Sequence, residues 1–307
     1  MKMRLVLGTV LGVGLALQGI AAAESHLEID SETGSFQNRD LSLGPVQIKA
    51  SYQPIDFEAR PEATENNLQL QILRNGRPAL SLTDTIYNYG SLDLKDLDND
   101  GSPEIIVQAF TGGAHCCMAV TTYTWQDNTY KAVPFGLLDG GGGEFKDLNG
   151  DGLTEFLSFD NAFLYAFSSY AGSFPPSVIL TFENGQYRDT TAQFHDYLKS
   201  TAWEMYQSLQ ERGDDAVDIN GLLAGYVAQK IRLGEYQEGW NFMLAHYDKT
   251  TDWGLAEEYD QDGNVVSAYP DFPTALRGFL TDLGYLNSQG KPQPQVDRSP
   301  VDMDGGP

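Results

Sequence analysis

Positive charge is scarce in this chain of 307 residues: 19 Lys and Arg stand against 43 Asp and Glu, a formal charge of −24 at pH 7. That balance excludes nucleic acid as a partner, because phosphate binding needs clustered Lys and Arg. It suits a protein that holds cations, although for most of these carboxylates acidity serves solubility. Cysteine is scarcer still. The two cysteines are adjacent, Cys116 and Cys117, so no disulfide between them can staple distant elements. Catalytic signatures are missing as well: there is no G-x-S-x-G elbow, H-E-x-x-H helix, P-loop or dinucleotide fingerprint. His26, His195 and His246 stand alone and read as surface or packing residues. A hydrolase with paired carboxylates remains an alternative, but the sequence alone names no such pair.

Long apolar runs are lacking after the first 23 residues. That opening segment has Lys2 and Arg4 in front, an apolar run from Leu5 to Leu17, and Ala21, Ala22 and Ala23 before Glu24. It reads as a secretory signal cleaved after Ala23, its apolar part falling short of the roughly 20 residues that a spanning helix needs. The expected mature chain has no transmembrane segment, is exported to a periplasmic or extracellular space, and carries a charge of −26 once Lys2 and Arg4 are gone.

What is present divides by period. From Glu24 to about Asp189, short alternating runs predict strands: "VQIKASY", then "NLQLQILRNGRPALSL" as a hairpin about Asn75-Gly76, "SPEIIVQAF", "CMAVTTYTW", "TYKAVPF", "TEFLSFD", "FLYAFSSY" and "SVILTFENGQYRD". Near Thr190 apolar residues change to three- and four-residue spacing, which predicts helices with Gly213 and Gly234 as stops. "EEYDQDGNVVSAY" reads as a turn or small hairpin, and "DFPTALRGFLTDLGYL" as a last helix capped by Asp271. Trp203, Tyr206, Tyr226, Tyr236, Trp240 and Phe242 fit either core packing or a ligand groove, and receive no role. The division is a β-rich domain over 24–189, a helical domain over 190–286 and a disordered tail over 287–307.

Two acidic loops stand out. "DLDNDGSPE" from Asp96 to Glu104 and "DLNGDGLTE" from Asp147 to Glu155 align as Asp96/Asp147, Leu97/Leu148, Asp100/Asp151, Gly101/Gly152 and Glu104/Glu155, with Lys95/Lys146 in front. Oxygen side chains at the first, third and fifth places converge if the backbone curls round them: Asp96, Asp98 and Asp100, or Asp147, Asn149 and Asp151. Asn99 with Gly101, and Gly150 with Gly152, tolerate the backbone angles that this curl requires. The seventh place, Ser102 or Leu153, offers a carbonyl oxygen, and the ninth, Glu104 or Glu155, a carboxylate. Such a set suits calcium, which takes six to eight oxygens, better than magnesium. The alternative is a pair of metal-free polar turns. With Asp98 where the other copy has Asn149, the first loop is expected to bind more strongly.

D-x-[DN]-x-[DN]-G-x-x-[DE] followed by an apolar strand resembles the calcium loop of FG-GAP/VCBS repeat proteins, over about ten residues per copy and at most 90–160 of this chain. The resemblance implies propeller-like repeats, calcium held for structure, and a module that recognises a protein, a glycan or a cell-envelope component. Its calcium ligands correspond to Asp96, Asp98, Asp100 and Glu104, and to Asp147, Asn149, Asp151 and Glu155. Seven blades at a 51-residue period exceed the chain, so the expected fold class is α+β: a propeller-like β domain short of a full seven-bladed propeller, followed by helices. In "TGGAHCCMAV", His115, Cys116 and Cys117 leave three readings open: a vicinal disulfide between Cys116 and Cys117, unpaired thiols, or a metal or thiol-disulfide function.

Overall fold

The computed structural model describes residues 24–56, 66–113, 117–212 and 218–296. The signal read over 1–23, His115, Cys116, Gly213 and residues 297–307 lie outside the described residues.

Strands run in chain order as β1 (His26–Ile29), β2 (Phe36–Leu43), β3 (Val46–Tyr52), β4 (Leu68–Arg74), β5 (Arg77–Asp84), β6 (Gly90–Lys95), β7 (Glu104–Phe110), β8 (Met118–Gln126), β9 (Thr129–Leu138), β10 (Glu144–Lys146), β11 (Glu155–Phe159), β12 (Ser177–Glu183) and β13 (Gln186–Asp189). They make three antiparallel sheets, ordered β2-β3-β4-β5, β1-β6-β7-β8-β9 and β10-β11-β12-β13, and among the described residues no barrel closes. Hairpin turns fall at Asn75-Gly76, Asp127-Asn128 and Asn184-Gly185, where both residues of each pair have positive φ, as the turns that match strand twist require.

The sheets are layered, with the five-stranded one in the middle. Ile105, Val107 and Ala109 of β7 share a core with Val46, Ile48, Leu70 and Ile72 of the first sheet. Ile106, from the same strand but pointing the other way, joins Phe135, Phe156, Leu180 and Phe182 on the side of the third sheet. The run "EIIV" is therefore apolar throughout because both of its faces are covered.

Beyond the third sheet come α1 (His195–Arg212), α2 (Ile219–Arg232), α3 (Tyr236–His246), the hairpin β14 (Ala256–Tyr259) with β15 (Val265–Ala268), and α4 (Phe272–Asp282), whose Thr274 N–H donates to the Asp271 carboxylate at 2.9 Å. Every residue of α2 is buried, which explains why it is apolar nearly all round. Its polar residues are its anchors. Asn220 exchanges bonds with the backbone of Asp248 at 3.0 and 2.9 Å, and Gln229 accepts from Ser177 N–H at 2.9 Å. Arg232 grips Asp189 with two bonds of 3.2 and 2.9 Å. Helix layer and third sheet are thus joined by paired polar groups as well as by contact.

Two expectations fail here. "FLYAFSSY" forms no strand: 3-10 turns occupy Asn161–Phe163 and Tyr170–Gly172, and Tyr165 sits at φ 61°. Its apolar alternation is used differently, since Phe163 and Phe167 both meet Phe279 of α4 edge-on, at 5.0 and 5.2 Å. The tail is also ordered further than expected. Residues 287–296 fold back through a Leu286–Pro292 bridge, bury Val296, and place the Gln295 amide on the Asp189 carbonyl.

Candidate metal centre

The first acidic loop joins β6 to β7, and the second joins β10 to β11. Both are built alike. In the first, Asp96 accepts from the N–H of Asp100 at 3.0 Å and of Gly101 at 2.8 Å, and Asp100 accepts from Ser102 N–H at 2.7 Å. Glu104 reaches back to accept from Leu97 N–H at 3.1 Å. In the second, Asp147 accepts from Gly150 and Gly152 at 2.6 and 3.0 Å, Asp151 from Leu153 N–H at 2.8 Å, and Glu155 from Leu148 N–H at 2.9 Å. Asn99 and Gly101, at φ 56° and 83°, and Gly150 and Gly152, at 78° and 91°, take the left-handed angles foreseen for them.

The copies differ where a cation would sit. Asp96, Asp98 and Glu104 each bring an oxygen within 4.8 Å of the others. Asp98 Oδ1 is buried and, among the described residues, has no hydrogen-bond partner. Glu104 is 2% exposed, its second oxygen held by the Thr124 hydroxyl at 3.1 Å. Burial, together with the charges of Asp98 and Asp100, pushes its carboxyl up to about 8. Burial and the neighbouring Asp100 and Asp96 raise Asp98 as well. In the second loop Asn149 is exposed and its amide donates to Asp151 at 2.8 Å, so the place that Asp98 takes in the first loop brings no charge. Burial also raises Glu155, but Asp147 is held low: burial works against it and the N–H groups of Gly152 and Gly150 prevail.

The loops are neighbours. Thr154 N–H donates to the Leu97 carbonyl at 2.9 Å, and a Cβ on Gly152 would lie 3.5 Å from the Asn99 amide. Arg74, from the end of β4, donates to the Ser102 hydroxyl at 2.8 Å and lies over Trp125 at 4.9 Å. No local pattern announces Arg74: it stands 28 residues from Ser102 in sequence.

A second grouping was also invisible in sequence. His26 Nδ1 is 2.8 Å from Asp93, a buried carboxylate that also accepts from Ser91, and Nε2 is 3.3 Å from Glu28. They border a cleft of about 300 Å³ shared with Lys95 and Glu144. His195 borders a separate cavity with Asn149, and His246 lies against Phe242. Cys117 is buried, its carbonyl held by Thr111 N–H and Oγ1 at 2.9 and 3.0 Å, and no described cysteine is free.

Comparison with known proteins corrects the resemblance drawn from these loops. The family that matches is the one described as the sll0997 C-terminal domain, over residues 198–284, which is the helical part; no FG-GAP or VCBS repeat family is found. Over 207 residues the chain is 40% identical to a probable thylakoid lumen protein, sll0997, of Synechocystis, a match covering 64% of this chain and 61% of that protein. Over 196 residues it is 33% identical to the uncharacterized protein y4bJ of Sinorhizobium fredii, covering 61% of this chain and 31% of that protein. The chain thus spans about three-fifths of one relative's length and under a third of the other's. No solved structure matches it. The loops share a ten-residue pattern with the repeat proteins, and turns of Asp, Asn and Gly that short form from local chemistry alone. The propeller expectation falls with the resemblance. Among the described residues, no helix is long and apolar enough to cross a membrane.

Proposed function

We propose that this chain is an exported calcium-holding protein, its ions serving structure and its outer surfaces serving recognition. The observation that carries this reading is the approach of Asp96, Asp98 and Glu104 within 4.8 Å, with Asp98 Oδ1 buried and unpartnered among the described residues. Three carboxylates repel one another in such a space unless a cation answers them. All three offer hard oxygen, with Asp100 beside them, which suits calcium. The second loop, with Asp147, Asn149, Asp151, Leu153 and Glu155, is the weaker site. Cys116 and Cys117 are read as a structural vicinal disulfide; support comes from the buried Cys117 and the lack of a free cysteine among the described residues. Export is supported by the apolar opening segment and by a relative named as a probable thylakoid lumen protein.

The test is calorimetric titration of the protein with calcium. Two sites are expected, the tighter lost in Asp96→Ala and the weaker in Asp147→Ala, with a melting temperature that calcium raises. Absence of heat at millimolar calcium would reduce both loops to ordinary turns.

A further inference from the structure

A groove of about 490 Å³ is lined by residues of α1, α2 and α3 and of the turn between α2 and α3, and by none of either acidic loop. One wall is aromatic. Trp203, 58% exposed, stacks on Tyr206 with ring centres 5.5 Å apart and planes at 25°. Tyr206 and Tyr226 both meet Phe242, at 5.6 and 5.4 Å, so the platform is braced from behind. The facing wall is charged and fixed: the Lys230 side chain, only 7% exposed, binds Glu235 and, at 3.0 Å, Glu238. Neither wall is explained by stability. An indole left in water forgoes about 2 kcal/mol of burial, and a buried ammonium is costly to desolvate.

The chemistry of the walls selects the ligand. Lys199, Lys230, Glu235 and Glu238 are the charged groups lining the groove, and their charges cancel. An anionic ligand would meet no net positive charge there and the −24 of the whole chain beyond it. A cation over the indole would meet two lysines as well as two glutamates, and so no net negative charge in the groove. A purely apolar ligand would strip water from the remaining hydrogen-bonding positions of the ion cluster without replacing it. A neutral sugar meets every group: its C–H face lies on the indole, while its hydroxyls, each both donor and acceptor, reach carboxylates and ammonium alike. We propose that this groove binds a neutral saccharide, with Trp203 as the platform and Lys230, Glu235 and Glu238 orienting the hydroxyls. The proposal gives a partner class to the recognition role suggested above and rests on that role, without depending on calcium.

Isothermal titration of the full chain with maltotriose, cellotriose and N,N′,N″-triacetylchitotriose, all neutral, in calcium and in chelator, tests it. At least one trisaccharide should saturate at millimolar concentration or below. Trp203→Ala should lower its affinity about tenfold, with only a small fall in melting temperature because the ring is 58% exposed and its stack on Tyr206 lies at the surface. Glu238→Gln should weaken binding too, whereas Trp253→Ala, an exposed tryptophan outside the groove, should not. No saturation by any of the three, or equal affinity in Trp203→Ala, would overturn the proposal. Saccharide binding in a protein that ignores calcium would sink the calcium reading alone.

Discussion

Asp98 and Asn149 hold the same place in their loops and differ by one functional atom, yet they face opposite tasks. Asp98 leaves an oxygen buried and unpartnered, whereas Asn149 satisfies its neighbour Asp151 with an amide hydrogen. Replacing Asn149 with Asp removes that internal bond and adds a fourth carboxylate to the second loop, beside Asp147, Asp151 and Glu155. Calcium affinity there should rise on the order of tenfold, since affinity in such loops follows ligand charge. The same variant should melt lower without calcium, because the new charge repels Asp151 and Asp147. Calorimetry and melting curves with and without chelator read both effects. Sequence made this contrast visible, because loop residues act locally. It did not show the partnership of His26 with Asp93, 67 residues apart, or of Arg74 with the first loop.

At the scale of elements, hairpins were legible because their turns carry their own instructions: Asn75-Gly76 and Asn184-Gly185 favour the positive φ angles that two-residue turns need. "FLYAFSSY" was not legible, because its phenylalanines obey a core made by α4, far along the chain. Helix α2 depends on a different kind of closeness. A Cβ at Gly225 would lie 1.8 Å from the Phe174 carbonyl oxygen, and one at Gly221 would lie 2.0 Å from Ser168 Oγ. Gly225→Ala gains roughly 1 kcal/mol of helix propensity but must push backbone apart, a cost of about 1–3 kcal/mol or more. Net destabilisation is expected, read as a lower urea midpoint at an unchanged slope. Of the six aromatics that sequence left without a role, Tyr226 and Trp240 are buried, while Trp203 is exposed at the groove.

The whole molecule is four layers deep, with an excess of negative charge spread over it. Self-repulsion on that scale is screened by any salt, whereas the Asp96, Asp98 and Glu104 cluster answers only to an ion that enters it. Raising sodium chloride should therefore raise the melting temperature gradually, and calcium at equal ionic strength should raise it further; chelator should remove only the second increment. Equal effects of both salts would mean that the loops hold nothing. The division into strands and then helices was readable from the change of period near Thr190. The order of the layers was not, because it is set by which faces of β7 and β12 meet which neighbours.

Asp189, at the end of β13, waits for partners that are made much later. Its carboxylate takes Arg232, and its carbonyl takes Gln295, 106 residues downstream. Nearby, Asp160 takes the hydroxyl of Tyr285, 125 residues on. A chain made N-terminus first therefore has the strands of its three sheets before the partners that cover the last of them exist. Only when the segment from Tyr285 to Val296 has been made can Asp160 and Asp189 take their full set of bonds. The last-made part of the described chain is thus what completes the fold.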